Sequence, residues 1–91
     1  MRKHGKVDNN HSQIVESLRA IGASVQSLAS VGSGCVDVLA GFRGVNYLIE
    51  IKTVKGTWTD AELDWHMNWH GQVAVARTVD EAIAIVTGEE C

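Results

Sequence analysis

Three charged residues stand inside two apolar runs of this 91-residue chain. Asp37 lies in Cys35-Val36-Asp37-Val38-Leu39-Ala40, and Glu50 and Lys52 close the run Val45-Asn46-Tyr47-Leu48-Ile49-Glu50-Ile51-Lys52. A carboxylate or ammonium buried without a partner costs several kcal/mol, so each of the three needs an ion pair, a metal or a chemical task. Two carboxylates held together suit a hard divalent cation such as Mg²⁺ or Mn²⁺. A lysine beside them suits orienting or deprotonating a water, or stabilising negative charge in a transition state. The plainer alternative is a salt bridge from Lys52 to Glu50 or Asp37 at a strand end.

Whether the three meet depends on a hairpin. Residues 35–40 and 45–52 read as strands joined by Gly41-Phe42-Arg43-Gly44. If Arg43-Gly44 forms a two-residue turn, Phe42 faces Val45, Leu39 faces Leu48 and Asp37 faces Glu50. Opposed side chains of that kind have Cβ atoms about 4.5–5.5 Å apart on one face of the sheet, and Lys52 shares that face. Val36, Val38, Ile49 and Ile51 then form the other face, as expected of a sheet backed by helices.

The remaining elements must hold this hairpin. Residues 1–9 are polar and basic and read as a loose arm. From Asn10, Ile14, Val15, Leu18 and Ile21 recur on one helical face, with Gly22 as the stop. Around that helix Glu16 points to solvent, His11 lies close to the apolar stripe, and Asn10 and Gln13 flank it. Residues 23–28 read as a short strand. The Ser30-Val31-Gly32-Ser33-Gly34 loop that follows matches neither a P-loop nor a dinucleotide fingerprint.

After the hairpin, residues 53–58 form a polar connection, and Thr59-Asp60-Ala61-Glu62 is a capping box opening a second helix that runs toward Gly71. Leu63, His66, Met67 and His70 share one side of it and Trp65 and Trp69 another, which suggests two packing partners, the sheet and a second subunit. His66 and His70 are four residues apart but lack a third ligand in motif spacing, so packing or phosphate hydrogen bonding outweighs a zinc site. Core or dimer packing likewise outweighs base stacking for Trp58, Trp65 and Trp69. Residues 72–77 read as a strand. Thr78-Val79-Asp80-Glu81 caps a last helix that stops at Gly88. The order is αβββαβα: an α/β fold with one mixed central sheet flanked by helices, in a single domain over residues 1–91.

Composition sets the outer bounds. Hydrophobic residues are 45% of the chain and charged residues 21%, ordinary for a globular domain, while 91 residues make a core small enough for dimerisation to help. No apolar run approaches the roughly 20 residues of a membrane span, and Met1-Arg2-Lys3-His4-Gly5-Lys6 lacks a signal-peptide segment, so a cytoplasmic location is expected. Cys35 and Cys91 form no disulfide framework and read as free thiols. The net charge of -3 is uneven. Seven of the eight Lys and Arg lie in residues 1–55, leaving that half basic, whereas the rest sets Arg77 against seven acids. A basic face beside an acidic one is compatible with nucleic acid.

Asp37, with Glu50-x-Lys52 on the next strand in an αβββαβα order, resembles the PD-(D/E)XK nuclease superfamily, whose core is restriction-endonuclease-like. The likeness extends over about residues 8–88. Ile14-Val15 and Leu18-Arg19, Gly22-Ala23, Val31-Gly32, Asp37-Val38-Leu39 with Gly41, Tyr47 to Lys52, Trp69-x-Gly71 and Asp80-Glu81-Ala82 are similar to small phage and bacterial VRR-NUC or Holliday-junction-resolvase-like domains. The resemblance implies hydrolysis of DNA phosphodiesters, on branched or four-way-junction DNA, by a homodimer needing Mg²⁺ or Mn²⁺ and no organic cofactor. It implies catalytic roles for Asp37, Glu50 and Lys52, with metal held by Asp37, Glu50 and the Ile51 main-chain carbonyl. His11 stands where related domains often place a helix-one Glu, which makes it a candidate fourth ligand. Lys3, Lys6, Gln13, Arg43 and Lys55 are the candidate DNA contacts. Val36 stands where the family usually has proline. Two alternatives remain: a nucleic-acid-binding module without catalysis, and a small structural protein whose buried charges form a salt-bridge cluster.

Overall fold

A computed structural model describes residues 4–89. In chain order the elements are α1 (His4–Ala20), β1 (Ser24–Ser27), β2 (Val38–Phe42), β3 (Val45–Ile51), α2 (Asp60–Asn68), β4 (Ala74–Ala76) and α3 (Val79–Thr87). The order is the expected αβββαβα. Its first boundary is not, because α1 begins at His4 and takes up most of the expected arm. Polar residues without periodicity gave no helix signal. Extending a helix already nucleated costs far less than starting one, however, and residues 4–9 contain no proline to stop it. Lys3 lies outside the described residues.

The sheet runs β1-β2-β3-β4, antiparallel over the first three strands and parallel between β3 and β4. Alternation along β2 buries Val38, Ala40 and Phe42 on one face, joined by Ile49 and Ile51 of β3 and Ala76 of β4. α1 covers this face with Ile14 and Leu18, and α3 with Ala82 and Val86. Each large aliphatic buried there contributes about 1.5–3 kcal/mol. α2 has no buried residue and lies apart from this core.

The hairpin register is the expected one, with Phe42 opposite Val45 and Leu39 opposite Leu48. Arg43 and Gly44 both have positive φ, 54° and 82°, as a two-residue type I′ turn requires. Because that turn uses only two residues, Gly41 and Phe42 belong to β2, which starts at Val38 rather than Cys35. Asp37 is thus a bend residue one step before the strand, and its carbonyl accepts from the Leu28 amide (2.8 Å).

Two close approaches fix α2. Gly34 has φ +81° and sits so near the first turn of α2 that a Cβ there would lie 2.2 Å from the Ala61 carbonyl oxygen. At the other end α2 stops at Asn68, short of the expected Gly71. Trp69 turns extended and donates its indole N–H to the Gln72 carbonyl (3.1 Å). The Gln72 side chain extends the parallel ladder beyond β4, accepting from the Leu48 amide (2.7 Å) and donating to the Leu48 carbonyl (3.1 Å). Arg77 Nη1 donates to the carbonyls of Thr53 (2.6 Å) and Gly56 (3.1 Å), pinning the loop between β3 and α2. No helix among the described residues is long and apolar enough to cross a membrane.

Candidate active site

Glu50 and Lys52 alternate with the core residues Ile49 and Ile51 and so project from the opposite face of the sheet. That face is not open to water. Glu50 is only 2% exposed, the one charged residue among the buried side chains described. Asp37 lies opposite it by continuation of the hairpin register, and the Asp37 Oδ2 accepts from the Ile51 amide (2.7 Å). The aspartate thereby substitutes a side-chain hydrogen bond for the ladder that ends at Val38, and this fixes its carboxylate beside Glu50.

Lys52 Nζ reaches the same place. It lies 3.5 Å from Glu50 Oε2, donates to Glu62 Oε1 (2.6 Å) and to the Thr57 carbonyl (2.9 Å), and sits over the Trp58 ring at 5.0 Å. Glu62 and His66 come from α2, four residues apart and therefore on one helical face. The Glu62 carboxylate is itself held by the capping box, accepting from the Thr59 amide (3.0 Å) while the Glu62 amide donates to Thr59 Oγ1 (3.1 Å). His66 Nε2 lies 3.9 Å from Glu50 Oε1, and neither atom has a hydrogen-bond partner among the described residues. The Trp58 ring meets His66 edge-on at 4.6 Å, and Trp65 meets it from another side at 5.3 Å.

Glu50 and Glu62 here share one lysine, and Asp37 stands on the other flank of Glu50. Burial first, then the charges of Asp37 and Glu62, push the Glu50 carboxyl up to about 8, with Lys52 pulling the other way. Burial also opposes ionisation of Glu62, but the hydrogen bonds from Lys52 and Thr59 overcome it and bring that carboxyl below the ordinary value. Burial lowers the His66 imidazole below 6.5 despite the upward pull of Glu62, so at neutral pH His66 is uncharged and its contact with Glu50 is not an ion pair.

Helix one enters the site differently from expectation. His11 lines a groove of about 250 Å³ with Val15, Arg19, Val25 and Val38. Val38 faces the helix-covered side of the sheet, and among the described residues no hydrogen bond or ion pair joins His11 to Asp37 or Glu50. Asn10 reaches the end of β3 instead, donating from Nδ2 to the Lys52 carbonyl (3.0 Å). Among the described residues no three His, Cys, Asp or Glu side chains converge as a ready metal-ligand set.

The candidate DNA contacts scatter. Gln13 is exposed on α1 and Lys55 is exposed in the loop beside Thr57. Arg43 is at the hairpin tip, stacked 4.7 Å over Phe42 and separated from Lys52 by the length of β3, roughly 20 Å at the usual strand rise. Lys6 lies on α1. The expected packing of α2 is also corrected. Leu63 and Met67 are exposed rather than set against the sheet, and the side facing Glu50 is the polar one. Trp65 and Trp69 stack on each other at 4.7 Å.

No protein-family model matches the sequence, and no curated protein matches it. A solved structure described as a VRR_NUC domain does match by shape, at a TM-score of 0.72 over 93% of this chain and 98% of that one, with 21% sequence identity. This chain has the VRR_NUC fold. At that identity the likeness is one of architecture, and it agrees with the restriction-endonuclease-like core that the sequence resemblance implies. Within the VRR_NUC fold, the residues that motif reasoning missed are Glu62, His66, Thr57 and Arg77. The capping box supplied a sufficient local reason for Glu62 and so concealed its second contact. The four-residue spacing of Glu62 and His66 was the available signal.

Proposed function

We propose that this chain is a metal-dependent DNA nuclease that hydrolyses phosphodiesters. The observation that carries the reading is a 2%-exposed Glu50 beside Asp37, with the Lys52 ammonium 3.5 Å away, on a VRR_NUC fold. The donor set suits a hard cation: oxygen ligands, a buried Glu50 Oε1 without a hydrogen-bond partner, and an excess of acids over bases. Asp37, Glu50 and the Ile51 carbonyl would hold Mg²⁺ or Mn²⁺, which when bound supplies Lewis-acid neutralisation of charge at the phosphate. Lys52 then orients the attacking water or stabilises the charge that develops on the phosphoryl oxygens. Asp37 keeps β3 in register through the Ile51 amide. The finer reading is cleavage of branched or four-way-junction DNA in the cytoplasm by a homodimer, whose symmetry presents two sites to one junction.

A second reading, a DNA-binding module without catalysis, is favoured by one observation: among the described side chains of helix one, Asn10 and no carboxylate reaches the end of β3. Cleavage of labelled duplex, single-stranded, flap and four-way-junction DNA with Mg²⁺ or Mn²⁺ separates the two. Cutting by the wild type and its loss in Lys52→Ala supports the nuclease. Equal cutting by both removes the role assigned to Lys52, and DNA binding without cutting by either selects the second reading. Calorimetric Mn²⁺ binding that Asp37→Ala and Glu50→Ala abolish would place the cation.

A further inference from the structure

Lys52 is held more tightly than a strand-end lysine needs to be. An ammonium has three N–H donors. One goes to Glu62 Oε1 (2.6 Å) and one to the Thr57 carbonyl (2.9 Å), which leaves the third for the side where Glu50 Oε2 stands at 3.5 Å. The Trp58 ring closes the remaining side. The Lys52–Glu62 pair is also shielded, with side chains 10% and 23% exposed, so water screens it less than a surface ion pair. Glu62 is fixed in turn by two bonds to Thr59, and the turn that carries it is seated against Gly34.

We infer that Glu62 is a positioning residue for Lys52, holding its ammonium toward the Glu50 carboxyl so that the lysine enters the reaction already oriented; this rests on the nuclease reading above. A lysine has four rotatable side-chain bonds and loses much of its aim when one anchor goes. The capping box therefore serves two ends, starting α2 and aiming Lys52.

The test compares Glu62→Ala, Glu62→Gln, Thr59→Ala and the double variant Lys52→Ala/Glu62→Ala. Glu62→Gln keeps an oxygen for the Thr59 amide and guards against a folding failure in Glu62→Ala. Thr59→Ala removes only the hydroxyl half of the cap. Without DNA or metal, acylation of Lys52 by an amine-reactive ester, read by mass spectrometry, should be slow in the wild type and in Thr59→Ala and faster in both Glu62 variants. In cleavage, Glu62→Ala should lower kcat about 10²-fold, as misplacement of a reacting group does, with KM nearly unchanged. Glu62→Gln should recover part of that loss. In the Lys52→Ala background, Glu62→Ala should add nothing. Wild-type labelling rates in the Glu62 variants, or a Thr59→Ala enzyme with the same kcat loss as Glu62→Ala, would overturn the positioning role. A wild type that does not cut DNA defeats the nuclease reading alone, and the labelling still decides whether Glu62 holds Lys52.

Discussion

Glu50 Oε1 and His66 Nε2 face each other at 3.9 Å, both shut off from solvent and neither hydrogen-bonded among the described residues. One comes from the strand that carries the charged motif and the other from a helix that buries none of its residues. With the carboxyl pushed up to about 8 and the imidazole pushed below 6.5, the pair is largely neutral near pH 7. A buried site of this kind is arranged for something other than its own stability.

Stability should therefore fall as pH rises toward 8. The folded-state value of Glu50 lies above its ordinary 4.5, so the folded chain keeps a proton that the unfolded chain releases, and its stabilising contribution is lost as pH rises through about 8. His66 is depressed and works in the opposite sense, losing stability as pH falls through the ordinary imidazole value of 6.5, so Glu50 dominates the window from about 7 to about 8. Urea melts across that window should show a decline of about 1 kcal/mol per pH unit. Glu50→Gln should flatten it, and an unchanged slope in that variant would assign the effect elsewhere.

Gly34→Ala should cost clearly more than Gly32→Ala. Both glycines have positive φ, +81° and +76°, so alanine at either loses about 1 kcal/mol to backbone strain. A Cβ at position 32 meets nothing within 4 Å, whereas at 34 it would lie 2.2 Å from the Ala61 carbonyl oxygen. The difference between the two denaturation midpoints measures how firmly the loop before Asp37 seats α2. Equal losses would mean that α2 can move away freely.

Arg77→Ala should release the 53–57 loop. Its guanidinium holds the Thr53 and Gly56 carbonyls, and charged hydrogen bonds of this kind contribute about 1.5–3 kcal/mol each at most. A loss near 2 kcal/mol is expected, together with a change in Trp58 fluorescence, since Trp58 follows directly on that loop. A stability loss with unaltered fluorescence would place the role of Arg77 in α3 alone.

His11→Glu should not increase Mn²⁺ affinity or cleavage. The side chain lines a groove with Val15, Arg19 and Val38, and no metal-ligand group among the described residues includes it. Calorimetry showing tighter Mn²⁺ binding in this variant would return position 11 to the ligand set.

The hairpin was readable because its information is local. Arg43-Gly44 admits a two-residue turn, period-two alternation sets the faces, and together they determine that Asp37 meets Glu50 and that Lys52 shares their side. The two capping motifs at Thr59 and Thr78 likewise marked the starts of α2 and α3, although Glu81 gives its carboxylate to the Arg77 amide rather than to its own cap. The N-terminal extension of α1 was not readable, since polar residues without periodicity carry no sign of the helix they continue.

The sequence by itself determined the order of elements, the hairpin register and the union of Asp37, Glu50 and Lys52, because each follows from neighbours on one strand pair. Only the tertiary structure decided what closes over them. Glu62 and His66 reach the site because Gly34 admits the first turn of α2 closely enough, and Arg77 fixes the loop before it. Asn10, expected only to flank the apolar stripe, reaches the Lys52 carbonyl because Ile14 and Leu18 packing on the sheet sets how α1 lies across it. Contacts between residues 10–40 positions apart depend on that docking, which no local pattern encodes.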